Sequence, residues 1–325
     1  MAKGPQKELR FDLFAFRFHF RAGGGIYFPP GKAGNIVRGA FGSIFRKIAC
    51  VPDCPGASVC ELRNRCAYAR IFEPAATGMG PSGLADCPRP FVFRAAHLDS
   101  RSVAPGETFH FDVYIFDSAE SALPYFVLAF AQLAREGLGP GRGRAGLISV
   151  EQLDRERLPA KKVFEGETFL LRESLTQLEL DLRREDRPIS SVVVRFVTPT
   201  ELKSGQQLAP RPEFPVLFAR IRDRISTLRA LYGAGPLAID FRAMGERAAA
   251  VRMVRCDLRH ADAVRRSART GRIHPLGGFV GEAEYAGELA EFVPYLRAAS
   301  WTGVGRQTVW GKGEVEVICD LRRPG

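Results

Sequence analysis

The chain has 325 residues, of which 46% are hydrophobic, so it is long enough for two domains of ordinary size, each with its own apolar core. It contains no apolar run near the roughly 20 residues that a transmembrane helix needs, and its first residues lack the apolar segment of a signal peptide. These observations argue against a membrane partner and predict a cytoplasmic protein.

The net charge of +11 comes from 47 Lys and Arg residues against 36 Asp and Glu, and 39 of the 47 are Arg. The planar guanidinium binds phosphate through two hydrogen bonds and stacks on bases, so this composition favours a nucleic acid as the partner. A basic protein without such a partner is the alternative that charge by itself leaves open.

The first half of the chain alternates strand and helix patterns. Phe14, Phe16, Phe18 and Phe20 recur at every second position, which predicts a strand with one buried face. Apolar residues at helical spacing then predict a helix over 33–48. The later patterns predict strands over 90–95 and 108–116, a helix over 121–136, and a glycine-rich loop that enters a strand within 137–153. The order βαββαβ is that of a ferredoxin-like, or RRM-like, domain.

The second half repeats this order after a charged segment. Two short alternating runs, at 168–173 and 177–183, predict that this segment is a connecting hairpin. The repeat consists of strands at 191–199, 249–258 and 277–285, helices at 213–232 and 287–299, and a glycine-rich loop with a terminal strand within 303–318. We therefore predict an α+β protein with tandem ferredoxin-like domains. The predicted divisions are 1–155, a hairpin over 156–188, and 189–325.

Four of the seven cysteines, Cys50, Cys54, Cys60 and Cys66, crowd into an insertion over 50–66. A reducing compartment disfavours disulfides, and the spacing suits one tetrahedral ion, so we predict structural zinc. An iron–sulfur cluster and unliganded thiols are the alternatives. Zinc held by all four thiolates would leave no open position for catalysis.

A glycine-rich segment near the end of the chain is the strongest candidate for contact with a phosphate backbone. Glycine lets a ligand approach the main chain closely, and adjacent cations supply anion-binding donors. A simple glycine-rich hairpin is the alternative. The predicted RNA-binding residues of this segment are Gly303, Gly305, Arg306, Gln307, Thr308, Trp310, Gly311, Lys312 and Gly313.

Further basic residues are predicted to follow phosphates electrostatically. Four lie in one loop with few neutralising acids, and two lie on the polar side of the helix predicted over 33–48. A solvated basic face is the alternative for each of them. These residues are Arg265, Arg266, Arg269 and Arg272 in the loop, and Arg38 and Arg46 on the helix.

Three separated segments resemble the endoribonucleases of the CRISPR-associated RAMP superfamily that process precursor CRISPR RNA. They are "PPGKAGNIVRGAFGSIFRKIACVPDCPGASVCELRNRCAYARIFEP", "RFVTPTELKSG" and "GGFVGEAEYAGELAEFVPYLRAASWTGVGRQTVWGKGEVEV". The first is similar to members with a cysteine-bearing insertion. The resemblance implies two ferredoxin-like domains that bind CRISPR repeat RNA. It also implies metal-independent attack by a ribose 2′-hydroxyl, which leaves a 2′,3′-cyclic phosphate and a 5′-hydroxyl.

The sequence departs from that family where its catalytic histidine often lies, because this helix carries Ser43 there. Serine has no nitrogen that titrates near neutrality. The remaining catalytic candidates are Tyr27, Lys32, Lys47 and His260.

Two functions therefore stay open: a CRISPR repeat endoribonuclease, and a RAMP subunit that binds crRNA without cutting it. Other subunits of a CRISPR effector complex are the further partners that the resemblance implies. A zinc-stabilised DNA-binding protein is disfavoured, because neither a helix-turn-helix nor a zinc finger can be recognised.

Overall fold

The computed structural model of the protein describes residues 9–51, 53–57, 59–74, 87–117, 122–168, 170–171, 175–262, 264–266, 273–275 and 277–319. No helix within those ranges is both long enough and apolar enough to cross a lipid bilayer.

The first half of the chain folds around one antiparallel sheet. Its elements are β1 (Arg10–Ala22), β2 (Ile26–Tyr27), α1 (Ala33–Ala49), α2 (Ala67–Ile71), β3 (Phe91–Arg94), β4 (Ser102–Val103), β5 (Thr108–Ile115), α3 (Leu123–Glu136), β6 (Ala145–Leu153), β7 (Pro159–Glu165), β8 (Leu170–Leu171) and β9 (Leu178–Asp181). The sheet order β3-β5-β1-β6 is the ferredoxin-like order, and β7 and β8 extend it beyond β6.

The second half repeats this topology. Its elements are β10 (Ser191–Thr200), β11 (Lys203–Ser204), β12 (Gln207–Leu208), α4 (Phe214–Tyr232), α5 (Phe241–Ala249), β13 (Arg252–Ala261), β14 (Val264–Arg266), β15 (Ile273–Pro275), β16 (Gly278–Ala286), α6 (Val293–Thr302) and β17 (Val315–Cys319). The sheet order β13-β16-β10-β17 matches that of the first half, strand for strand. The predicted fold class, α+β with tandem ferredoxin-like modules, is confirmed.

One face of the first sheet packs against α1 and α3 in a core rich in phenylalanine. The alternation predicted for β1 is observed, since Phe16, Phe18 and Phe20 are all buried on this face. Phe41 of α1 stacks on Phe126 of α3 with ring centroids 4.8 Å apart. Burial of each such ring contributes roughly 2–3 kcal/mol, and this packing fixes the position of α1 on the sheet.

The opposite face of the same sheet packs against the second half of the chain. Phe11 and Leu13 of β1 belong to the apolar cluster that also contains the buried residues of α4 and α6. Tyr114 of β5 contacts Trp301 of α6, with ring centroids 4.9 Å apart. The first sheet is therefore covered on both faces, and the core on this second face is shared by the two halves.

The prediction of a connecting hairpin over 156–188 is wrong. Its two alternating runs do not pair with each other: β8 pairs with β7, and β9 pairs with Arg10–Leu13 of β1. The apolar residues Leu178 and Leu180 of β9 pack against the core that joins the halves. An alternating pattern predicts a strand but carries no information about its partner. The domain limits themselves stay a prediction.

Helix α6 begins later than the sequence predicts. The apolar spacing suggested a helix from residue 287, but Gly287 has a φ of +148° and the helix starts at Val293. Pro294 occupies the first turn, where its missing N–H costs no hydrogen bond. The shorter helix leads directly into the glycine-rich segment 303–313.

Candidate functional site

Helix α1 presents one polar stripe to solvent. Asn35, Gly39, Ser43 and Lys47 follow one another at intervals of four residues, so they share a face of the helix. Gly39, Ser43 and Lys47 are exposed and Asn35 is half-buried, whereas Phe41 on the other side is fully buried. Side chains four residues apart lie about 6 Å from each other. Ser43 and Lys47 therefore form a neighbouring hydroxyl and ammonium on the surface.

The first turn of α1 is fixed by a carboxylate from the loop after β3. Oδ1 of Asp99 accepts a hydrogen bond of 2.8 Å from the backbone N–H of Ala33. Burial raises the pKa of Asp99, while the backbone donors of this turn and the charge of Lys312 act in the opposite direction. The carboxylate thus supplies an acceptor for one of the N–H groups that a helix start leaves without a partner.

The four predicted catalytic residues do not come together at one point. Tyr27, which is 46% exposed, and Lys32 precede α1, whereas Lys47 lies in its last turn. Fifteen residues of α-helix separate the two lysines by about 22 Å, so they cannot act on the same phosphate. His260 lies on the edge strand β13 of the second half, where Nε2 is 3.2 Å from Oδ1 of Asp262.

The glycine-rich segment 303–313 packs directly against the start of α1. Nζ of Lys312 donates to the backbone oxygen of Gly31 at 3.3 Å, and this lysine is only 4% exposed. Burial lowers its pKa. A Cβ on Gly34 would lie 2.8 Å from the backbone oxygen of Trp310, so the two main chains are in contact. The segment and the helix therefore form one surface.

The glycines of this segment are required for its own folding. Gly305 and Gly313 have φ values of +80° and +66°, which disfavour other residues. A Cβ on Gly305 would lie 2.2 Å from the backbone oxygen of Glu201, and one on Gly313 would lie 1.9 Å from that of Val304. The predicted RNA contacts of Gly303, Gly305, Gly311 and Gly313 stay a prediction, to which the structure adds this packing role.

Side chains of the segment divide between the interior and the surface. Thr308 and Lys312 are buried, whereas Arg306 is exposed, with Nη1 3.2 Å from Oε2 of Glu201. Gln307 adopts a left-handed backbone conformation at a φ of +61°, which is uncommon for a residue with a Cβ. Arg306 is therefore the cation of this segment that is best placed to meet a ligand.

Three arginines that the sequence did not single out hold the segment in place. The last turn of α6 leaves carbonyl groups without helical partners. Arg157 donates to the oxygen of Ser300 at 2.9 Å, Arg94 to that of Trp301 at 2.9 Å, and Arg224 to that of Thr302 at 3.0 Å. Cations also favour the negative end of the helix dipole. Isolated arginines on three distant elements give no sequence pattern that could have revealed this arrangement.

The two arginines predicted for the helix occupy different environments. Arg38 is 7% exposed and its guanidinium lies between the rings of Trp310 and Phe72, at 3.8 and 4.3 Å from their centroids. Arg46 is exposed and donates to the backbone oxygen of Cys54 at 3.0 Å. Only Arg46 presents its side chain to solvent beside Lys47.

The predicted basic loop is described only in part. The main chain of Arg265 and Arg266 belongs to β14, which pairs with β15. Arg269 and Arg272 lie outside the described residues, so the phosphate contacts predicted for this loop stay a prediction.

The thiols of the cysteine insertion are neighbours. The pKa of Cys50 is raised to about 12 by burial and by the adjacent thiols of Cys66 and Cys54. A hydrogen bond from the backbone of Gly56, together with the thiols of Cys50 and Cys60, lowers the pKa of Cys54. Among the described residues, however, no set of three or more Cys, His, Asp or Glu side chains is arranged to hold a metal ion. The thiol chemistry fits zinc, and the predicted site stays a prediction.

Comparison with known proteins agrees with this architecture. The family model described as CRISPR-associated endoribonuclease Cas6 matches residues 194–315. The model AF_1859_N, described as an N-terminal domain, matches residues 11–177, about half of the chain. An uncharacterized protein of Archaeoglobus fulgidus is 26% identical over 214 residues, which cover 65% of this chain and 68% of that protein.

Solved structures share the fold at low sequence identity. Thermus thermophilus Cas6 superposes with a TM-score of 0.52 at 17% identity, over 94% of this chain and 98% of that one. A Cas6 product complex gives 0.54 at 18% identity, over 94% and 99%. A partial Cas6-RT-Cas1–Cas2 complex gives 0.56 at 13% identity, over 98% of this chain and 48% of that one.

Two ferredoxin-like modules of identical strand order, joined through a shared core and a glycine-rich segment on α1, make up the fold that this chain shares with the Cas6 structures. Within that fold, residues 194–315 match the Cas6 family of CRISPR-associated endoribonucleases.

Proposed function

We propose that the protein cleaves precursor CRISPR RNA within the repeat, by metal-independent attack of a ribose 2′-hydroxyl. The observation that carries this proposal is the exposed stripe of α1, where Ser43 and Lys47 lie one helical turn apart. The glycine-rich segment of the second half packs on the same helix and adds the exposed cation Arg306.

The reaction needs the RNA strand to be held so that the attacking 2′-oxygen is in line with the leaving 5′-oxygen. It also needs positive charge to balance the negative charge of the phosphorane. The 2′-hydroxyl gives up its proton to water and its oxygen bonds to the adjacent phosphorus, while the bond from phosphorus to the 5′-oxygen breaks, which gives a 2′,3′-cyclic phosphate and a 5′-hydroxyl. The ammonium of Lys47 would neutralise the phosphorane and protonate the leaving 5′-oxygen, and the hydroxyl of Ser43 would donate to a non-bridging oxygen. This assignment places the scissile phosphate at the end of α1 near Lys47.

The other predicted catalytic residues then bind the RNA away from the bond that breaks. Lys32 lies at the opposite end of α1, about 22 Å from Lys47, and Tyr27 lies on β2, before that end of the helix. His260 projects from the edge of the second sheet. In this proposal these groups contact flanking nucleotides, and their substitution weakens binding more than it slows the chemical step.

A second candidate function is the capture of crRNA without cleavage, as a subunit of a CRISPR effector complex. The observation that favours it is Ser43, because a hydroxyl cannot act as a base near neutral pH as an imidazole does. The loss of a general acid or base typically costs 10²–10⁴ in rate. The first candidate therefore predicts a slow enzyme.

One assay separates the two functions. Labelled repeat RNA is incubated with the protein in EDTA, beside the same RNA with a 2′-deoxy substitution at the cut. Cleavage of the unmodified RNA alone, absent in Lys47→Ala but retained in Lys162→Ala, supports the endoribonuclease. Lys162 is a suitable control because it is an exposed lysine on β7, paired with Glu165. Binding of both RNAs with cleavage of neither would establish the capture function instead.

We also propose that Cys50, Cys54, Cys60 and Cys66 hold a structural zinc ion. The described residues of the insertion expose apolar side chains such as Val59 and bury few, so they form no apolar core of their own that could fix it. Metal analysis of the purified protein should find about one zinc per chain, lost in Cys60→Ser and retained in Cys256→Ser. Iron in place of zinc would indicate a cluster, and a metal-free protein would contradict the proposal.

A further inference from the structure

Helix α1 contains three glycines, Gly34, Gly39 and Gly42, although glycine in a helix interior is less stable than alanine. A helix with three such residues needs a reason for each of them. Two of the three are explained by contacts within the protein.

Gly34 and Gly42 lie where a side chain has no room. A Cβ on Gly34 would lie 2.8 Å from the backbone oxygen of Trp310. A Cβ on Gly42 would lie 2.1 Å from the ring of Phe72, and that ring is itself packed against Phe41 and Phe91. Both glycines are therefore required by the fold.

Gly39 has no such explanation. A Cβ built on Gly39 meets no heavy atom of the described residues within 4 Å, outside the backbone of its own helix. Its φ is not positive, so alanine would fit the helix without strain. The residue is exposed, between Asn35 and Ser43 on the polar stripe. Nothing within the described protein accounts for a glycine there.

We infer that Gly39 is where the RNA backbone touches α1. Without a Cβ, a sugar-phosphate chain can approach the helix more closely, by about the 1.5 Å of a carbon–carbon bond. The side chains of Asn35 and Ser43 flank the contact and offer hydrogen bonds to phosphate oxygens. The inference rests on the proposed function. It places the RNA strand across α1 at Gly39, from where the RNA continues toward Lys47.

The surrounding charge favours RNA over a protein partner at this contact. Arg46 and Lys47, both exposed, lie about two turns from Gly39, and the sequence of α1 contains no Asp or Glu. A polyanion would be attracted along this face, and it would approach the helix most closely at Gly39, which has no side chain.

The test substitutes Gly39 and compares stability with RNA affinity. Gly39→Ala should raise the midpoint of thermal unfolding by roughly 1–3 °C, because it improves helix propensity. The same change should weaken repeat-RNA binding at least about tenfold, and Gly39→Leu should weaken it further. A stabilised variant that binds less well cannot be explained by misfolding.

Gly245→Ala is the matched control, because Gly245 lies inside α5 and its added Cβ would meet only Arg222, at an ordinary 3.8 Å. This variant should gain stability without loss of affinity. Unchanged affinity in Gly39→Leu would overturn the inference, as would equal loss in Gly245→Ala, while RNA cleavage by the parent protein would still support the proposed function. Should Gly39→Leu instead alter self-association and leave RNA binding intact, the contact is with protein and the inference is wrong.

Discussion

The guanidinium of Arg38 in the first half lies 3.8 Å from the ring centroid of Trp310 in the second half. Phe72 covers the other side of the guanidinium at 4.3 Å. A cation between two rings and out of water is stabilised by about 2 kcal/mol or more. This stack fixes the glycine-rich segment against the helix that carries the candidate catalytic residues.

Replacing Arg38 should therefore destabilise the protein. For Arg38→Leu we expect the free energy of unfolding to fall by about 2 kcal/mol, measured by urea denaturation. Arg46→Leu is the control, since Arg46 is exposed on the same helix and its loss should change stability by less than about 0.5 kcal/mol. Equal effects of the two substitutions would show that the stack contributes nothing specific.

Replacing the two cations of the glycine-rich segment should have different effects, one on RNA binding and the other on stability. Arg306→Ala should weaken RNA binding and reduce its salt dependence by about one phosphate contact, with little change in stability, because Arg306 is exposed. Lys312→Ala should cost about 1–3 kcal/mol of stability, because its ammonium is buried against the oxygen of Gly31. Titrations at several salt concentrations, together with denaturation curves, measure both effects. If Lys312→Ala strongly reduced the salt dependence of RNA binding and left stability unchanged, these separate roles of Arg306 and Lys312 would be contradicted.

Restoring an imidazole on α1 should accelerate cleavage. Ser43→His places a general base on the exposed stripe, one turn from Lys47, and should raise the single-turnover rate by about 10²–10⁴. Asn35→His, on the same stripe two turns away, is the control and should give no comparable gain. If Ser43→His cleaves no faster than the parent protein, the reacting phosphate does not lie at this turn of the helix.

His110 should make the folded protein less stable at acidic pH. Burial, together with the neighbouring His97 and Arg17, lowers the pKa of His110 from 6.5 to about 4. Between these two values the unfolded chain binds a proton that the folded protein excludes, so stability falls as the pH drops from about 6.5 toward 4. The unfolding midpoint of the parent protein should decrease over this range more steeply than that of His110→Gln.

A matched substitution tests the origin of that effect. His260→Gln is the matched control, because it removes a histidine of the second half and leaves the packing around His110 intact. Coincident profiles for the parent protein and His110→Gln would show that His110 does not control acid sensitivity.

The architecture of both halves could be predicted because its signals are local. The alternating phenylalanines of β1 and the helical spacing of α1 each depend on a few consecutive residues, and the helix was predicted within one residue of its observed end. The repeated order of elements then led to the tandem fold. The partner of β9 could not be found in this way, because strand pairing joins residues about 170 positions apart.

The environment of the candidate site residues also depends on contacts between residues that are far apart in the sequence. Lys312 matched the expected pattern for phosphate binding, yet its ammonium is buried among atoms of Gly31 and Asp99. Burial of a lysine is decided by acceptors from distant segments, which composition and spacing do not report. On α1, helical periodicity correctly placed Arg46 on the exposed side, but it also placed Arg38 there, which Trp310 and Phe72 bury.

The return of β9 to Arg10–Leu13 has a consequence for hybrid proteins built from relatives of this family. A crossover at residue 155 would supply β9 from a different parent, so Arg10–Leu13 of β1 would pair with a strand that did not evolve with it. Chimeras joined after Leu182 keep strand and partner together. Exchange of halves should therefore succeed at that junction and give insoluble products at the earlier one.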